Sequence, residues 1–214
     1  MKSETSLLGP DDLDRIGAAI KDAEKRTNGE IFAVLARESD DYFFPAGFSI
    51  AVAALIFGGL MTLTTWWWEV PVSVISLVFG QLAAFACLAG LAFALPSIRL
   101  LFVPRSVAYK RASANAVRQF LAHGIHITES RTGVLLFVSM AERYVEVIAD
   151  VGINEKVAQE EWNNLVAALT KAASEDRLAD GFVEAANRAG TLLSEHFPRQ
   201  PGKINALEDK IIEL

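Results

Sequence analysis

Cysteine and histidine are scarce in this sequence. Its 214 residues include one cysteine, Cys87, and three histidines. A disulfide scaffold needs pairs of cysteines and a structural zinc site needs a cluster of cysteines and histidines, so the sequence indicates neither. Positive charge is also limited, because 20 Lys and Arg face 26 Asp and Glu and give a formal net charge of −6. Without a basic stripe to neutralise phosphates, we expect no nucleic-acid partner.

Charge is almost absent from a long internal segment. Between residues 42 and 98 the one charged side chain is Glu69. A helix that spans a bilayer needs about 20 apolar residues. The segment therefore predicts a transmembrane helical hairpin over residues 42–98, with helices at about 44–63 and 72–95. Its turn holds three consecutive tryptophans, which favour the headgroup region of a bilayer. The alternative is a buried soluble hairpin, but two uncharged runs of this length exceed what a domain of this size buries.

Basic residues predict the orientation of the hairpin. Its turn contains no Lys or Arg, whereas both outer flanks contain several: Lys21, Lys25, Arg26, Arg37, Arg99, Arg105, Lys110, Arg111 and Arg118. The positive-inside rule then places both termini and the soluble domain in the cytoplasm. Residues 1–41 are charged and amphipathic, unlike a signal peptide. We expect a two-span protein of the cell (inner) membrane, with the lipid bilayer as a partner.

Small residues recur at four-residue spacing within the predicted spans. The pairs are Ala54 with Gly58, Gly80 with Ala84 and Ala86 with Gly90. This spacing allows close helix approach, either within the hairpin or in a homo-oligomer formed through it. Gln81 is the one strongly polar side chain within a span, and we expect it to form an interhelical hydrogen bond. No intramembrane charge supports a conduction path.

The remaining sequence predicts an α/β domain that the hairpin interrupts. Periodicity predicts these elements: helix 10–26, strand 30–37, helix 106–123, strands 133–139 and 144–150, and helices 154–174 and 178–196. The first two strands should be parallel and the third antiparallel to the second. The fold class is α/β, a small three-layer sandwich with a short mixed sheet flanked by helices. Its first helix and strand occupy residues 1–41, and its remainder occupies 99–197.

The C-terminal tail, residues 198–214, carries a weaker pattern. Ile204, Leu207, Ile211 and Ile212 lie at helical spacing after a break at residues 198–202. This spacing predicts a short amphipathic helical piece.

Several strings resemble the TPM domain family, named after thylakoid-lumen, photosystem-associated and acetylcholine-receptor-modulating members. They are Asn28–Ile31, Glu129–Ser139 and Arg143–Ile153, and the resemblance covers nearly all of 8–197 once the hairpin is set aside. It points to a bacterial, membrane-anchored member. It implies an α/β fold, divalent metal binding (usually calcium) in some members, a disputed weak acid phosphatase activity, and roles in assembling or maintaining membrane complexes.

Two strings depart from the pattern of that family. Arg131-Thr132-Gly133 stands where many members have Asp-Asn-Gly, and Asp150–Glu155 stands where many have a loop similar to Gly-Tyr-Gly-Leu-Glu. The first change replaces a carboxylate with a cation.

Strand direction predicts a polar edge of the sheet. Glu30 and Arg131–Gly133 begin the parallel strands and Asp150 ends the antiparallel one, so all three belong to one edge. Oxygen ligands for calcium or magnesium could come from five residues near that edge, namely Glu30, Glu129, Asp150, Asn154 and Glu155. The alternative is that Arg131 pairs with Asp150 or Glu30 and that Glu155 simply favours a helix N-terminus. The opposite edge should face the bilayer, because the first strand ends a few residues before the first span.

The histidines, two serines and the cysteine are weaker candidates for a metal or catalytic site. His123, His126 and His196 lack a clear third ligand, so cap or surface positions explain them. Ser130 and Ser139 lack a nucleophile-elbow pattern, and Cys87 lies within a predicted span.

The sequence supports three hypotheses about function. The leading hypothesis is a membrane-anchored protein whose cytoplasmic domain binds or helps assemble membrane partners, such as a membrane protein complex. The alternative is a weak divalent-metal-dependent phosphatase that uses the edge formed by Glu30 and Asp150. A third is a membrane oligomer with a structural role alone. The sequence leaves open whether the chain is an enzyme.

Overall fold

The chain forms two compact units. The computed structural model describes residues 6–128, 131–201 and 210–214. Residues 40–110 make up one unit, which we call the hairpin unit, and residues 1–39 together with 111–214 make up the other, the α/β unit. In chain order the elements are α1 (Pro10–Glu24), β1 (Glu30–Ala36), α2 (Phe43–Trp67), α3 (Val74–Ala94), α4 (Arg105–Ala122), β2 (Gly133–Ser139), β3 (Tyr144–Ala149), α5 (Val151–Asn154), α6 (Gln159–Ser174), α7 (Leu178–His196) and β4 (Ile211–Glu213), with 3-10 helices at Pro96–Phe102 and Ile125–Ile127.

The α/β unit contains a four-stranded mixed sheet in the order β3-β2-β1-β4. Strand β1 is parallel to β2 and to β4, whereas β2 and β3 are antiparallel. The predicted parallel and antiparallel pairings are therefore confirmed. Glu30 is the register partner of Gly133, so β1 and β2 begin at the same level of the sheet.

Strand β4 corrects the prediction for the tail. The spacing of Ile211 and Ile212 indicated a helical piece, but Ile211 pairs with Ala33 of β1 in a parallel strand. The backbone N–H of Leu214 also donates to the carbonyl of Leu35 at 2.9 Å. The open edge of β1 offers unpaired backbone groups, and β-branched isoleucines suit such pairing. Ile204 and Leu207 lie outside the described residues.

Apolar cores cover both faces of the sheet. On β1, Ile31, Ala33 and Leu35 belong to a core built with α1, α6 and α7, whose members include Ile20, Leu165 and Phe182. The intervening residues Phe32, Val34 and Ala36 belong to a second core, which contains Ala116 and Phe120 of α4. Strands buried on both faces read as continuous apolar runs, which explains the uninterrupted pattern of β1 and β2. The predicted α/β sandwich is confirmed.

The second half of the domain shows one correction in its helices. The sequence predicted a single helix over 154–174, but the structure has a short helix α5 and a separate helix α6. Asp150 starts α5 early, because its carboxylate accepts from the backbone N–H of Val151 at 2.7 Å and caps the helix.

The hairpin unit contains two helices, of 25 and 21 residues, that are long and apolar enough to cross a membrane. The side-chain amide of Gln81 on α3 donates to the carbonyl of Ala54 on α2 at 3.1 Å, so the predicted interhelical hydrogen bond is confirmed. Helix α2 continues to Trp67, four residues past its predicted end, so two of the three tryptophans lie in its last turn. Threonine and tryptophan are only mildly unfavourable in helices, and the reversal comes at Glu69, whose φ is 52°.

Candidate functional site: a buried acidic edge with an internal cation

Three strands bring two carboxylates to one edge of the sheet. Glu30 begins β1 beside Gly133, and the backbone N–H of Asp150 donates to the carbonyl of Gly133 at 3.0 Å on the other side. Both carboxylates are removed from water, since Glu30 is 2% exposed and Asp150 is 4% exposed. We call Glu30, Gly133 and Asp150 the acidic edge. Strand direction predicted this grouping, and the structure places the three residues as predicted.

Both oxygens of Asp150 are engaged by groups of this chain. Its Oδ1 accepts from the backbone N–H of Val151, and its Oδ2 lies 2.9 Å from Nε of Arg131. The guanidinium is half exposed while the carboxylate is buried. The structure thus contains the ion pair between Arg131 and Asp150 that the sequence offered as the alternative to a metal.

A backbone hydrogen bond to Thr128 positions Arg131. Its backbone N–H donates to the carbonyl of Thr128 at 2.9 Å, and its φ is 53°, in the left-handed region. Non-glycine residues seldom adopt this conformation, in which Asn and Asp are enriched. The next residue, Thr132, is held by its own hydrogen bond from N–H to the hydroxyl of Thr128 at 3.0 Å. The two hydrogen bonds to Thr128 therefore hold the guanidinium of Arg131 beside Asp150 at the acidic edge.

Gly133 is required by a close backbone approach. A Cβ at this position would collide with the carbonyl oxygen and Cγ2 of Ile125, which is itself fully buried. A carbonyl oxygen of a buried turn cannot move aside without distorting that turn. The glycine in the string Arg131-Thr132-Gly133 therefore has a packing reason.

The other predicted ligands do not join this cluster. The side-chain amide of Asn154 donates to the carbonyl of Ala149 at 3.0 Å, and Asn154 is exposed. Glu155 is the exposed C-terminal cap residue of α5 rather than the start of a helix. Glu129 lies outside the described residues.

The described residues offer few ligands for a divalent ion. Within 6–128, 131–201 and 210–214 no three His, Cys, Asp or Glu side chains converge closely enough to hold a metal. Calcium takes six to eight oxygen ligands. At the acidic edge Oδ2 of Asp150 forms an ion pair with Arg131 that lacks hydrogen-bond geometry, and the described carboxylates are too few to hold calcium or magnesium.

The histidines take part in aromatic packing. The ring of His123 stacks on Phe32 with centroids 4.6 Å apart, and His126 lies 6.4 Å from Phe120. His196 is the last residue of α7 and lies beside Phe197. These contacts agree with the structural interpretation of the three imidazoles.

A second polar cluster lies at the opposite, carboxyl edge, and the sequence did not indicate it. The hydroxyls of Ser39 and Ser139 are 2.7 Å apart, and Glu142 accepts from the backbone N–H of Ser39 at 2.8 Å and from the hydroxyl of Ser139. Asn115 of α4 reaches Ser39 at 3.5 Å. All four residues are buried. Because Ser39 and Asn115 join the cluster from segments far away in sequence, no local pattern could have revealed it.

The ionisation of Glu146 is altered by its half-buried position on β3. Partial burial raises the pKa of its carboxyl, while hydrogen bonds from Ser113, at 3.2 Å, and Tyr144 act in the opposite direction. Glu146 lies on β3 opposite Phe137 of β2. A half-buried carboxylate on an apolar sheet face loses hydration, which is the cause of the shift.

A hollow of about 560 Å³ lies along the surface of α7 in the α/β unit. Its lining is mixed in charge and includes Glu161, Asp180, Glu184 and Arg188. The described members of the acidic edge do not line it. The hollow and the acidic edge are therefore separate features.

Comparisons with known proteins agree with this fold. The profile of the TPM domain family, designated TPM_phosphatase, matches residues 96–192, just under half of the chain. The chain also superposes on the NMR structure of the BA42 protein from the psychrophilic bacterium Bizionia argentinensis, with a TM-score of 0.61, 18% identity and 100% of both chains covered. At that identity the likeness shows the fold alone. No curated protein matches the chain in sequence. The expected TPM resemblance is confirmed over residues 96–192.

Proposed function

We propose that this chain is a two-span protein of the cell (inner) membrane whose α/β unit lies in the cytoplasm and binds or helps assemble membrane partners. One observation carries the proposal. Helices α2 and α3 are inserted between β1 and α4 and keep their apolar side chains exposed. No more than 11% of the most apolar window of either helix is buried. The core helices of a soluble protein would be mostly covered by other parts of the chain.

The exposed side chains are large as well as apolar. Phe44, Leu55, Phe79 and Leu82 are each more than half exposed. In water such a surface would promote aggregation, whereas lipid tails would cover it. The exposed tryptophans Trp66–Trp68 at the end of the hairpin favour the headgroup region.

Membrane integration can be tested by alkaline carbonate extraction of membranes that contain the full chain. We expect the protein to remain in the membrane pellet. Leu82→Lys, which places a charge on the exposed face of α3, should weaken integration, because a lysine at the centre of a span costs about 2.5–3.5 kcal/mol. Leu121→Lys, which adds the same charge at an exposed position of α4 outside both spans, is the matched control. Release of the native chain by carbonate would contradict the proposal.

Assembly with partners can be tested by photo-cross-linking from exposed positions of the α/β unit. Val117 and Leu121 are exposed apolar residues on α4 and suit the insertion of a photoreactive amino acid. We expect discrete cross-linked products with other membrane proteins. Cross-links confined to a second copy of this chain would instead favour the structural oligomer.

That oligomer has its own test at Cys87, the single cysteine. Cys87 is exposed on α3 next to Ala86, and a Cβ at Gly90 would meet no neighbouring atom. A second α3 could pack against this face. Oxidation of intact membranes should produce a disulfide-linked dimer if the face is an oligomer contact, and monomer alone if it is not.

The match to the TPM_phosphatase profile favours a second candidate, a weak phosphatase. Hydrolysis of p-nitrophenyl phosphate by the purified full chain, with and without calcium or magnesium, tests it. Turnover that metal stimulates and that Asp150→Asn abolishes would support this candidate. Turnover that is the same in Asp150→Asn would place any activity away from the acidic edge.

A further inference from the structure

The acidic edge poses an electrostatic problem that the fold has to solve. Glu30 on β1 and Asp150 at the end of β3 lie on either side of Gly133 on β2, and both are buried. Because β2 separates their strands, the two backbones are about 9.6 Å apart, twice the usual strand spacing. Two carboxylates removed from water at such spacing repel each other, so a folded protein pairs them with a cation or holds them on a metal.

Arg131 provides a cation from within the chain. Its Nε lies 2.9 Å from Oδ2 of Asp150, while Oδ1 accepts from the N–H of Val151. A divalent ion bound to the same carboxylate would come within a few ångströms of the guanidinium. The repulsion between them would oppose binding, and the nitrogen and the metal would compete for the same oxygen.

The backbone fixes where the guanidinium of Arg131 lies. The N–H of Arg131 donates to the carbonyl of Thr128 at 2.9 Å, and its φ of 53° is in the left-handed region. The side chain is half exposed and forms the ion pair with the buried Asp150.

We propose that the guanidinium of Arg131 takes the place of a divalent cation at the acidic edge and makes the folded α/β unit independent of calcium and magnesium. The proposal concerns the chemistry of one sheet edge and does not depend on where the protein resides in the cell. Failure of the membrane proposal would leave it intact, and its own failure would leave the membrane proposal intact.

Thermal unfolding of the detergent-solubilised full chain tests the proposal, in the presence of calcium, magnesium or EDTA. Each is added at about 1 mM, a concentration on the order of the dissociation constants of weak calcium sites. The native protein should unfold at the same temperature in all three conditions, and calorimetric titration with calcium should give no saturable heat. Arg131→Gln should lower the unfolding temperature by about 3–6 °C in every condition, because Asp150 loses its cation.

Arg131→Asp distinguishes replacement of a metal from an ordinary ion pair. It should be destabilised in EDTA and recover part of the loss in calcium, since a third carboxylate adds an oxygen donor to the edge. Arg143→Asp is the matched control, because Arg143 is exposed and has nearly the same φ of 52°. The unfolding temperature of Arg143→Asp should be the same in EDTA and in calcium.

Three results would overturn the proposal. One is saturable calcium binding by the native chain that Asp150→Asn removes. Another is an unfolding temperature that Arg131→Gln leaves unchanged. The last is an Arg131→Asp protein that loses stability without any response to calcium. If Arg131→Asp does not fold, the native titration and Arg131→Gln still decide the matter.

Discussion

At the scale of single residues, Gly133 shows how closely the acidic edge is packed. The site of its missing Cβ is taken by the carbonyl oxygen and Cγ2 of Ile125. Gly133→Ala should lower the free energy of unfolding by about 1–3 kcal/mol, because buried backbone has to shift. Gly9→Ala is the control, since its new Cβ would find its nearest neighbour 3.9 Å away. Denaturant unfolding measures both variants, and equal effects would contradict the packing role.

Glu146 gives a pH-dependent prediction at the same scale. Burial raises the pKa of its carboxyl in the folded protein, so folding favours the protonated form. The favourable contribution of Glu146 to the free energy of unfolding is fully present below the ordinary glutamate pKa of about 4.3. It is lost as the pH rises through the raised pKa of the folded protein. At pH 7 the buried carboxylate is therefore a net cost.

Glu146→Gln should remove that cost and keep an oxygen for the hydrogen bond from Ser113. We expect a gain in unfolding free energy at pH 7 of less than about 1 kcal/mol, since water still screens a half-buried group. The gain should vanish near pH 4. Unfolding curves across this range measure it, with the exposed Glu155→Gln as control. A gain that is constant with pH would show that ionisation is not its source.

Residue-scale features differ in how far the sequence could predict them. The grouping of Glu30, Gly133 and Asp150 follows from strand direction alone, because strand starts and ends meet at one edge. The pairing of Arg131 with Asp150 was one of two alternatives, since sequence cannot measure a distance of 2.9 Å. The cluster of Ser39 and Glu142 could not be foreseen, because these residues are 103 positions apart and meet through loops.

At the scale of elements, the hairpin unit has an internal contact that can be tested. Gln81 donates to the carbonyl of Ala54, and its carboxamide occupies the space beside Gly58. Gly59, one residue further, has open space where its Cβ would lie. The two glycines therefore form a matched pair.

Gly59→Ala should stabilise α2 by up to about 1 kcal/mol, because alanine is the better helix former. Gly58→Ala should be less stable than Gly59→Ala by about 0.6–1.7 kcal/mol, because the new methyl group displaces Gln81 and breaks its hydrogen bond to Ala54. Unfolding in mixed detergent micelles measures both. If the two variants were equally stable, the hydrogen bond would contribute nothing to the hairpin.

Elements with their own strong pattern were predicted well. Strand β2 and helix α7 have the predicted bounds, because a continuous apolar run and a clear helical period marked them. Strand β4 was missed because three residues carry no periodicity of their own and pair only where β1 leaves an edge open. Helix α5 was missed because its four residues, which follow the local cap of Asp150 on Val151, are too few to show a helical period.

At the scale of the whole molecule, an apolar hairpin interrupts the α/β unit in sequence. Residues 96–192 match the TPM domain family and the fold resembles a solved bacterial structure. The proposed role follows from the hairpin, because it would hold the α/β unit where membrane proteins are assembled. The orientation rests on the basic residues that flank the two helices and on their absence from the turn.

The most direct test of this account is labelling of single cysteines in intact cells with a maleimide that cannot cross the membrane. In a Cys87→Ala background, one cysteine replaces Trp67 at the hairpin turn and another replaces the exposed Glu195 on α7. We predict that the Trp67 position is labelled in intact cells and that the Glu195 position is labelled only after lysis. Labelling of the Glu195 position in intact cells would contradict a cytoplasmic α/β unit.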